Sequence, residues 1–226
     1  MKLKVIAASL LALVAAGASA QNINGAGATF PYPIYSRWFS EYKQQNPSVQ
    51  INYQPIGSGG GIRQVTEGTV DFGASDVTMT DEQLSQAKIK VIALPTVLGA
   101  VVPVYTIPGV NKNLNFSGDV IADIYLGKIS KWSDPRIAKD NPGVNFPDKA
   151  ILPVYRSDSS GTSFIFTDFL SKVSPDFKSK VGAATAVKWP AGIGQKGNEG
   201  VAGMVRQSPY SFGYVELIFA RGNNMT

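Results

Sequence analysis

Three short turns in this sequence combine glycine with hydroxyl residues immediately ahead of a predicted helix. They are residues 25–30, 57–61 and 158–162. The first turn of a helix presents N–H groups without intrahelical partners and a partial positive charge. Glycine lets the backbone approach a ligand closely, and a hydroxyl group adds a further donor. Together the three turns predict a cradle for an oxyanion, although each turn alone also suits an ordinary capped helix.

Charged residues beside these turns refine the predicted ligand. Arg156 ends a predicted strand just before the third turn, and its guanidinium can bind two oxygens of an oxyanion at once. Asp158 follows closely enough to hold that guanidinium in place. Asp76 is the last of residues 71–76, where another predicted strand leads into a turn. Asp76 could also simply cap that turn. An ionised aspartate only accepts hydrogen bonds, so Asp76 favours phosphate, which keeps a proton at neutral pH, over sulfate, which has none.

Nucleotide-binding motifs fail at specific positions. A dinucleotide fingerprint that began at Gly25 or Gly57 would need glycine where the chain has Phe30 and Ile62. No glycine-rich loop is followed by Gly-Lys-Ser or Gly-Lys-Thr, so the phosphate-binding loop of nucleotide hydrolases is absent as well. The turns therefore predict binding of a small free anion and not of ATP or NAD.

The residue types that the chain lacks restrict its chemistry. There is no cysteine and no histidine in its 226 residues. Cysteine nucleophiles, thiolate metal sites, the Ser-His-Asp triad and most zinc sites are thereby excluded. Chemistry carried by carboxylates or lysine stays open, but we predict a protein that is not an enzyme and that has no metal site and no cofactor.

The charge of the chain is only mildly basic. Its formal net charge is +5, to which the leader contributes Lys2 and Lys4. The densest basic stretch, residues 178–180, is short, whereas a nucleic-acid-binding protein usually shows a basic stripe. We therefore predict no nucleic-acid partner, and a solvated basic surface is the simplest reading of the charge.

Apolar residues at strand and helix spacing alternate along the chain and predict an α/β fold. The predicted strands are residues 22–25, 50–56, 70–74, 91–95, 100–107, 151–156 and 211–220. The predicted helices are residues 31–45, the stretch from the second glycine turn to about 68, 81–87, 118–125, 134–139 (helix or turn), 162–173 and 198–206. In the helix at 162–173, the residues expected mostly to face the core are Phe164, Phe166, Phe169 and Leu170. A change of composition near 99–109 predicts a boundary between two lobes.

The first twenty residues have the layout of a secretory signal peptide. Two lysines precede a short apolar run at residues 5–14, and the small residues 18–20 provide a cleavage site after Ala20. The apolar run is shorter than the roughly 20 residues that a membrane span needs. We therefore expect a leader that is removed on export.

Several long motifs resemble those of the phosphate-binding protein, the substrate-binding component of bacterial phosphate ABC transporters. The resemblance runs from about residue 23 to 224. Its motifs are residues 25–31 (GAGATFP), 56–60 (IGSGG), 71–76 (DFGASD), 123–129 (DIYLGKI), 156–164 (RSDSSGTSF), 188–190 (KWP) and 212–216 (FGYVE).

This resemblance implies a periplasmic-binding-protein fold of the class II, Venus-flytrap type, in which two α/β lobes close on phosphate. The first lobe would comprise residues 21–104 and the second 105–226. The residues implied to bind phosphate are Thr29, Phe30 (through its backbone N–H), Ser58, Asp76, Arg156, Ser160, Gly161 and Thr162. Asp158 would orient Arg156. The implied partners are the permease and ATPase subunits of a phosphate ABC transporter, and the implied state is a periplasmic monomer.

The sequence departs from the family pattern in two places. Gly59 stands where relatives often have a second serine after Ser58, and we expect little effect because the backbone does much of the binding there. The family also normally continues well beyond the length of this chain and returns to complete the first lobe. We therefore expect the first lobe to be incomplete in this chain.

Other classes of function stay open at this stage. A secreted phosphatase could use Ser160 as its nucleophile, although no histidine is present to act as base. A receptor for another oxyanion, such as sulfate or molybdate, would use similar turns. A role in adhesion is not excluded by any motif.

Overall fold

The computed structural model describes residues 21–110 and 112–225, so the predicted signal peptide lies outside the described residues. The strands are β1 (Gln21–Gly27), β2 (Val49–Pro55), β3 (Phe72–Ala74), β4 (Val101–Thr106), β5 (Leu152–Arg156), β6 (Ile193–Gln195) and β7 (Ser211–Glu216). The helices are α1 (Tyr32–Gln45), α2 (Ser58–Glu67), α3 (Asp81–Ser85), α4 (Gly118–Tyr125), α5 (Pro135–Asp140), α6 (Gly161–Val173), α7 (Pro175–Lys180), α8 (Gly197–Gln207) and α9 (Leu217–Gly222).

The first sheet is parallel and has the order β2-β1-β3. Its core is small: Ala28, Tyr35 and Ala74 are buried together, with partly buried aromatic rings around them. The apolar stripe of α1 is buried only in part, since Tyr35 is buried but Trp38 and Tyr42 are more than 40% exposed. This layer therefore buries far less apolar surface than the second one.

The second sheet has the order β4-β7-β5-β6. Strands β5, β6 and β7 are parallel, and β4 runs antiparallel to β7. Helices α4, α6 and α7 cover one side with a large aromatic core, and α8 packs on the other side through Val201 and Val205. The largest fully buried side chains all belong to this half; they include Trp132, Tyr125, Tyr214, Phe177 and Phe212.

Local sequence explains where several helices begin. Thr80 caps α3 in a full capping box with Gln83. Asp134 and Ser174 cap α5 and α7, and in both helices a proline follows directly, where its missing N–H has no cost. The sequence analysis missed helix α7 and strand β6. Strand β6 has only three residues, whereas α7 begins with the same signal as α5, a capping residue followed by proline.

The structure corrects three predictions. Residues 91–95 form no strand: Ile92 and Leu94 are at least 70% exposed, and no strand of the described chain pairs with them. An apolar run becomes a strand only when a neighbour completes its hydrogen bonds. The strand predicted at 211–220 ends at Glu216, whose carboxylate accepts the N–H of Ile218 and caps α9. Phe169 is 46% exposed and does not face the core, unlike Phe166 and Leu170.

Several strand-to-helix turns meet where the two sheets face each other. The carboxyl ends of β1, β2 and β3 lie along one edge of the first parallel sheet, and those of β5 and β6 lie along one edge of the second. In open α/β sheets, ligands bind at this kind of edge. None of the helices in the described part of the chain is long and apolar enough to cross a membrane.

Candidate functional site

The first sheet brings three of the predicted residues to its carboxyl edge. Thr29 follows β1 and is 2% exposed, and Ser58 begins α2 and is fully buried. Asp76 follows β3, and its backbone N–H donates to the Ser58 hydroxyl oxygen at 3.2 Å. Gly57 permits this turn because its φ of +91° lies in the left-handed region that side chains other than glycine avoid.

The second sheet supplies the opposite side. Arg156 ends β5 with its side chain 1% exposed, and the next turn leads into α6. Ser160 caps that helix, since its hydroxyl oxygen accepts the N–H of Ser163 at 3.1 Å. Thr162, in the first turn of α6, is also buried. Backbone donors, hydroxyls and one guanidinium thus converge on the helix start.

Asp158 forms a buried ion pair with Arg156. Its two carboxylate oxygens accept Nε at 2.8 Å and Nη2 at 2.6 Å, a fork that leaves Nη1 directed at the Thr162 hydroxyl, 3.4 Å away. Burial alone would raise the pKa of Asp158, but the hydrogen bonds and charge of Arg156, with the Gly197 N–H, outweigh it and lower the pKa. Asp158 therefore stays ionised and holds the guanidinium in one orientation.

Direct hydrogen bonds join the two halves at this point. The Ser58 hydroxyl oxygen accepts the Gly161 N–H at 3.2 Å, and the Gly59 N–H donates to the Ser159 carbonyl at 3.1 Å. The Thr162 hydroxyl lies 3.5 Å from an Asp76 carboxylate oxygen. The cleft between the sheets is therefore closed in this structure, with the predicted residues touching one another across it.

Space at the closed contact is tight around two glycines. A Cβ on Gly161 would lie 2.5 Å from the Asp76 Cβ and 2.6 Å from the Ser58 hydroxyl oxygen. A Cβ on Gly59 would overlap the Ser159 side chain, so a serine at that position could be accommodated only if Ser159 moved. The backbone N–H of Gly59 bonds across the cleft without any side chain.

A methyl group at Gly161 should keep the cleft from closing. We expect Gly161→Ala to weaken anion binding at least about tenfold, since the two sides could no longer meet without displacing the Asp76 or Ser58 side chain. Gly203→Ala is the matched control: this glycine lies within α8 with open space around its Cβ position. The control should bind like the wild type and be as stable or more so. Equal affinities for all three proteins by calorimetric titration would contradict the proposed closure.

The charge of the Asp76 carboxylate is poorly compensated. Burial raises its pKa to about 6; Arg156 and the Thr162 hydroxyl oppose the rise, and the Glu216 carboxylate adds to it. Two carboxylates, those of Asp76 and Asp158, share the single positive charge of the Arg156 guanidinium. An anion that binds beside Asp76 must therefore bring a proton for it to accept, or Asp76 must itself be protonated.

Replacing Asp76 with Asn should stabilise the ligand-free protein at neutral pH. The folded protein holds the Asp76 proton more tightly than the unfolded chain, so the wild type loses stability as pH rises from about 4 through about 6. Asparagine cannot ionise, and we expect a gain of about 1–3 kcal/mol above that range and none below about pH 4. Thermal melts across the pH range would measure it, with the exposed Asp71→Asn as control. A gap in melting temperature that does not change with pH would refute the argument.

Asn198 is a buried polar residue at the site that the sequence analysis did not identify. Its side-chain amide donates to the Thr29 hydroxyl at 2.8 Å and to the Thr162 hydroxyl at 3.3 Å, and its oxygen accepts the Glu216 N–H at 3.0 Å. It follows Gly197, which has a φ of +72°, at the start of α8. The available signal was a fourth turn between a strand and a helix, hidden because β6 has only three residues.

Of the predicted residues, Phe30 has the least direct link to this cluster. Its ring lies against Gly99, in the segment that precedes β4, and only its place next to Thr29 brings its backbone to the site. Within the described residues, no three acidic side chains cluster so as to hold a metal ion. What the arrangement can do is surround a small oxyanion with hydroxyl, amide and guanidinium donors.

The fold and the cleft between its two sheets are those of the periplasmic-binding-protein class. The chain belongs to this class, because the model of the PBP superfamily domain matches residues 14–226. Its sequence is 50% identical over 99% of the chain to a phosphate-binding protein, PstS, of Pasteurella multocida, and 49% identical over 92% to that of Haemophilus influenzae. The chain spans 64% and 62% of the length of these two relatives. The resemblance to phosphate-binding proteins that the sequence motifs indicated is thereby confirmed.

Solved structures support the fold. A putative phosphate ABC transporter substrate-binding protein from Clostridium perfringens, with bound phosphate, matches 87% of this chain and 71% of its own at a TM-score of 0.66 and 20% identity. A phosphate-binding protein from Stenotrophomonas maltophilia matches 87% of this chain and 60% of its own at a TM-score of 0.61 and 22% identity. The predicted α/β, periplasmic-binding-protein fold is confirmed.

Proposed function

We propose that this chain binds inorganic phosphate in the cleft between its two sheets and serves phosphate import. The observation that carries the proposal is the hydrogen-bonded cluster that joins residues of both sheets at one point: Ser58 with Gly161, and Asp76 with Thr162. The names of the relatives, which are phosphate-binding proteins, support the same ligand.

The composition of the cluster favours a tetrahedral oxyanion. Thr29, Ser58, Ser160 and Thr162 would provide hydroxyl groups, and Arg156 would provide the charge. Phe30 would provide a backbone N–H, and so would Gly161 once an anion replaces the Ser58 oxygen as its acceptor. The Ser58 hydroxyl oxygen already accepts two backbone N–H groups, from Asp76 and Gly161, so its proton is left for a further acceptor. Asp76 is the acceptor that a protonated phosphate satisfies and that sulfate does not.

Closure of two lobes is the proposed binding movement. We assign residues 21–104 to the first lobe and residues 105–226 to the second, with the cleft between them. Phosphate would touch both lobes at once and so stabilise the closed form over an open one. The closed form would be the one that a transporter recognises.

The remaining parts of the proposal concern cellular role. We propose a periplasmic monomer that delivers phosphate to the permease and ATPase subunits of an ABC transporter, as the relatives' names and the predicted signal peptide suggest. We also propose that the protein catalyses no reaction. The Ser160 hydroxyl oxygen serves as a helix cap to Ser163 in the structure, which favours a binding role over that of a nucleophile.

Calorimetric titration tests the proposal directly. Inorganic phosphate should bind the purified protein with one site, sulfate should not compete at similar concentration, and phosphate should raise the melting temperature in proportion to the logarithm of its concentration. Absence of phosphate binding in a protein that shows a cooperative melt would overturn the proposal.

A turnover assay tests the proposed absence of catalysis. A chromogenic phosphate ester incubated with the protein, with and without a divalent metal ion, should release no product above background. Steady release that scales with protein concentration, and that is lost in Ser160→Ala, would favour a phosphatase instead.

A further inference from the structure

Among the described residues of the site, Asn198 is the one whose side-chain amide contacts both sides of the cleft. It is fully buried, and each of its polar atoms has a partner. Its partners are the Thr29 hydroxyl, which follows β1, the Thr162 hydroxyl, which lies in α6, and the backbone N–H of Glu216 at the end of β7. A group so placed can influence how both hydroxyls meet a ligand.

The backbone N–H of Glu216 determines which way the amide faces. An N–H group can only donate, so the atom of Asn198 that lies 3.0 Å from it must be the oxygen. The NH2 group must then face the two threonine hydroxyls. This orientation follows from the backbone and does not depend on a ligand.

That orientation determines how the hydroxyls themselves can bond. The Thr29 oxygen accepts from the Asn198 side chain at 2.8 Å and from its backbone N–H at 3.4 Å. The Thr162 oxygen accepts from Asn198 at 3.3 Å and from Arg156 Nη1 at 3.4 Å. A hydroxyl has two acceptor positions and one proton, so both oxygens are fully used as acceptors. The Thr162 proton is donated to an Asp76 carboxylate oxygen at 3.5 Å in this structure, and it becomes available to an anion when the anion donates to Asp76 in its place. The Thr29 proton has no acceptor among the contacts of the described residues.

We propose that Asn198 is a positioning residue for anion binding: its amide commits the hydroxyls of Thr29 and Thr162 to donate toward the anion. This inference rests on the proposed function and names a residue that acts through two of the proposed ligands. Without the amide, either hydroxyl could turn its oxygen toward the anion and its proton away, and part of the binding energy would be lost in reorienting it.

The test is a neutral substitution of similar shape, Asn198→Leu, titrated with inorganic phosphate. Loss of directed donation from two hydroxyls should weaken the affinity for phosphate about tenfold to a hundredfold. Asn198→Asp is the second variant, in case leucine impairs folding: it keeps the acceptor for the Glu216 N–H but removes both donors, and it should lose at least as much affinity. Affinities equal to that of the wild type in both variants would overturn the inference.

Asn141→Leu is the matched control. Asn141 is another buried asparagine of the second half, bonded to the backbone of Asn115 and Ile137 and outside the described cleft contacts. The control should lower the melting temperature and leave phosphate affinity unchanged. If Asn141→Leu weakened phosphate binding as much as Asn198→Leu, the effect would be one of general stability, and the inference would fail.

A double-mutant cycle tests whether Asn198 affects phosphate affinity through the hydroxyls of Thr29 and Thr162 or by another route. In a background of Thr29→Val and Thr162→Val, the hydroxyls through which Asn198 acts are gone, so Asn198→Leu should cost little further affinity. A loss that is the same in both backgrounds would show that Asn198 does not act through these hydroxyls and would overturn the inference.

Failure of the proposed function can be distinguished from failure of the inference about Asn198. If the wild-type protein folded but bound no phosphate, the proposed function would fall, and the position of Asn198 would still be testable without ligand. Its side-chain amide protons should exchange with solvent much more slowly than those of Asn52, which is exposed on β2. Exchange as fast as at Asn52 would overturn the inference on its own, and protection would support it.

Discussion

Arg156→Met should abolish high-affinity phosphate binding, with a loss of roughly a hundredfold or more in affinity. Removing one partner of a buried charge pair typically costs about 2–5 kcal/mol in binding, and each 1.4 kcal/mol is about tenfold. Methionine fills the space of the side chain but offers no donor to the ligand or to Thr162. Calorimetric titration with phosphate measures the loss directly.

The same substitution should also destabilise the ligand-free protein, because Asp158 would lose its guanidinium partner with only 12% of its side chain exposed. Losing one partner of a buried pair costs about 3–5 kcal/mol. The double variant Arg156→Met/Asp158→Asn should recover most of that stability but not the affinity. This outcome would separate the role of Arg156 in binding from its role in folding.

Two further variants sharpen the result. Arg156→Lys keeps the charge but cannot make the fork to Asp158, so its affinity should lie between those of the wild type and the methionine variant. Arg136→Met is the control on the surface: Arg136 pairs with Asp123 and Asp134 at 45% exposure, and exposed pairs contribute about 1 kcal/mol or less. If Arg156→Met bound phosphate as well as Arg136→Met does, the proposed site would be wrong.

Asp76→Asn should remove the discrimination between phosphate and sulfate. In the wild type, sulfate has no proton for the Asp76 carboxylate, and an unpaired buried charge costs several kcal/mol, which corresponds to about a hundredfold or more in affinity. Asparagine can donate to a sulfate oxygen or accept from a phosphate hydroxyl, so the ratio of the two affinities should fall by about that factor. Parallel titrations with both anions measure the ratio.

The pH dependence of sulfate binding checks the same argument. Because the pKa of Asp76 is raised to about 6, the wild type should accept sulfate better as pH falls through that value, when the carboxyl group gains a proton to donate. Asp76→Asn should lack this dependence, and the exposed control Asp71→Asn should keep it. Higher phosphate affinity in Asp76→Asn with unchanged rejection of sulfate would contradict the proposed basis of selectivity.

Exposed apolar residues mark where sequence patterns and the fold disagree. The continuous apolar run at residues 91–95 predicted a buried strand, yet Ile92 and Leu94 face solvent, and Leu98 is 99% exposed. Burial of a strand depends on a partner strand and a covering layer, and neither is a property of the run itself. The same reason explains α1, where apolar spacing predicted the helix correctly but could not show that Trp38 and Tyr42 would stay exposed.

The turns and their chemistry could be predicted because they are local. Glycine, hydroxyl residues and a helix start determine backbone donors within a few residues, and so the turns that contain Ser58, Ser160 and Gly161 could be selected without a structure, whereas the individual residues were implied by the family resemblance. The pairing of Arg156 with Asp158 was equally accessible, since the two lie two residues apart at the end of β5. Long motifs then sufficed to predict the fold class.

Only the tertiary structure could decide which of these turns meet and what else joins them. The hydrogen bond between Ser58 and Gly161 joins residues 103 positions apart, and that between Asn198 and Thr29 joins residues 169 apart. Such contacts depend on the order of strands in two sheets and on how the sheets face each other, which no local pattern contains. The raised pKa of Asp76 has the same origin, because its burial comes from the second sheet closing over it.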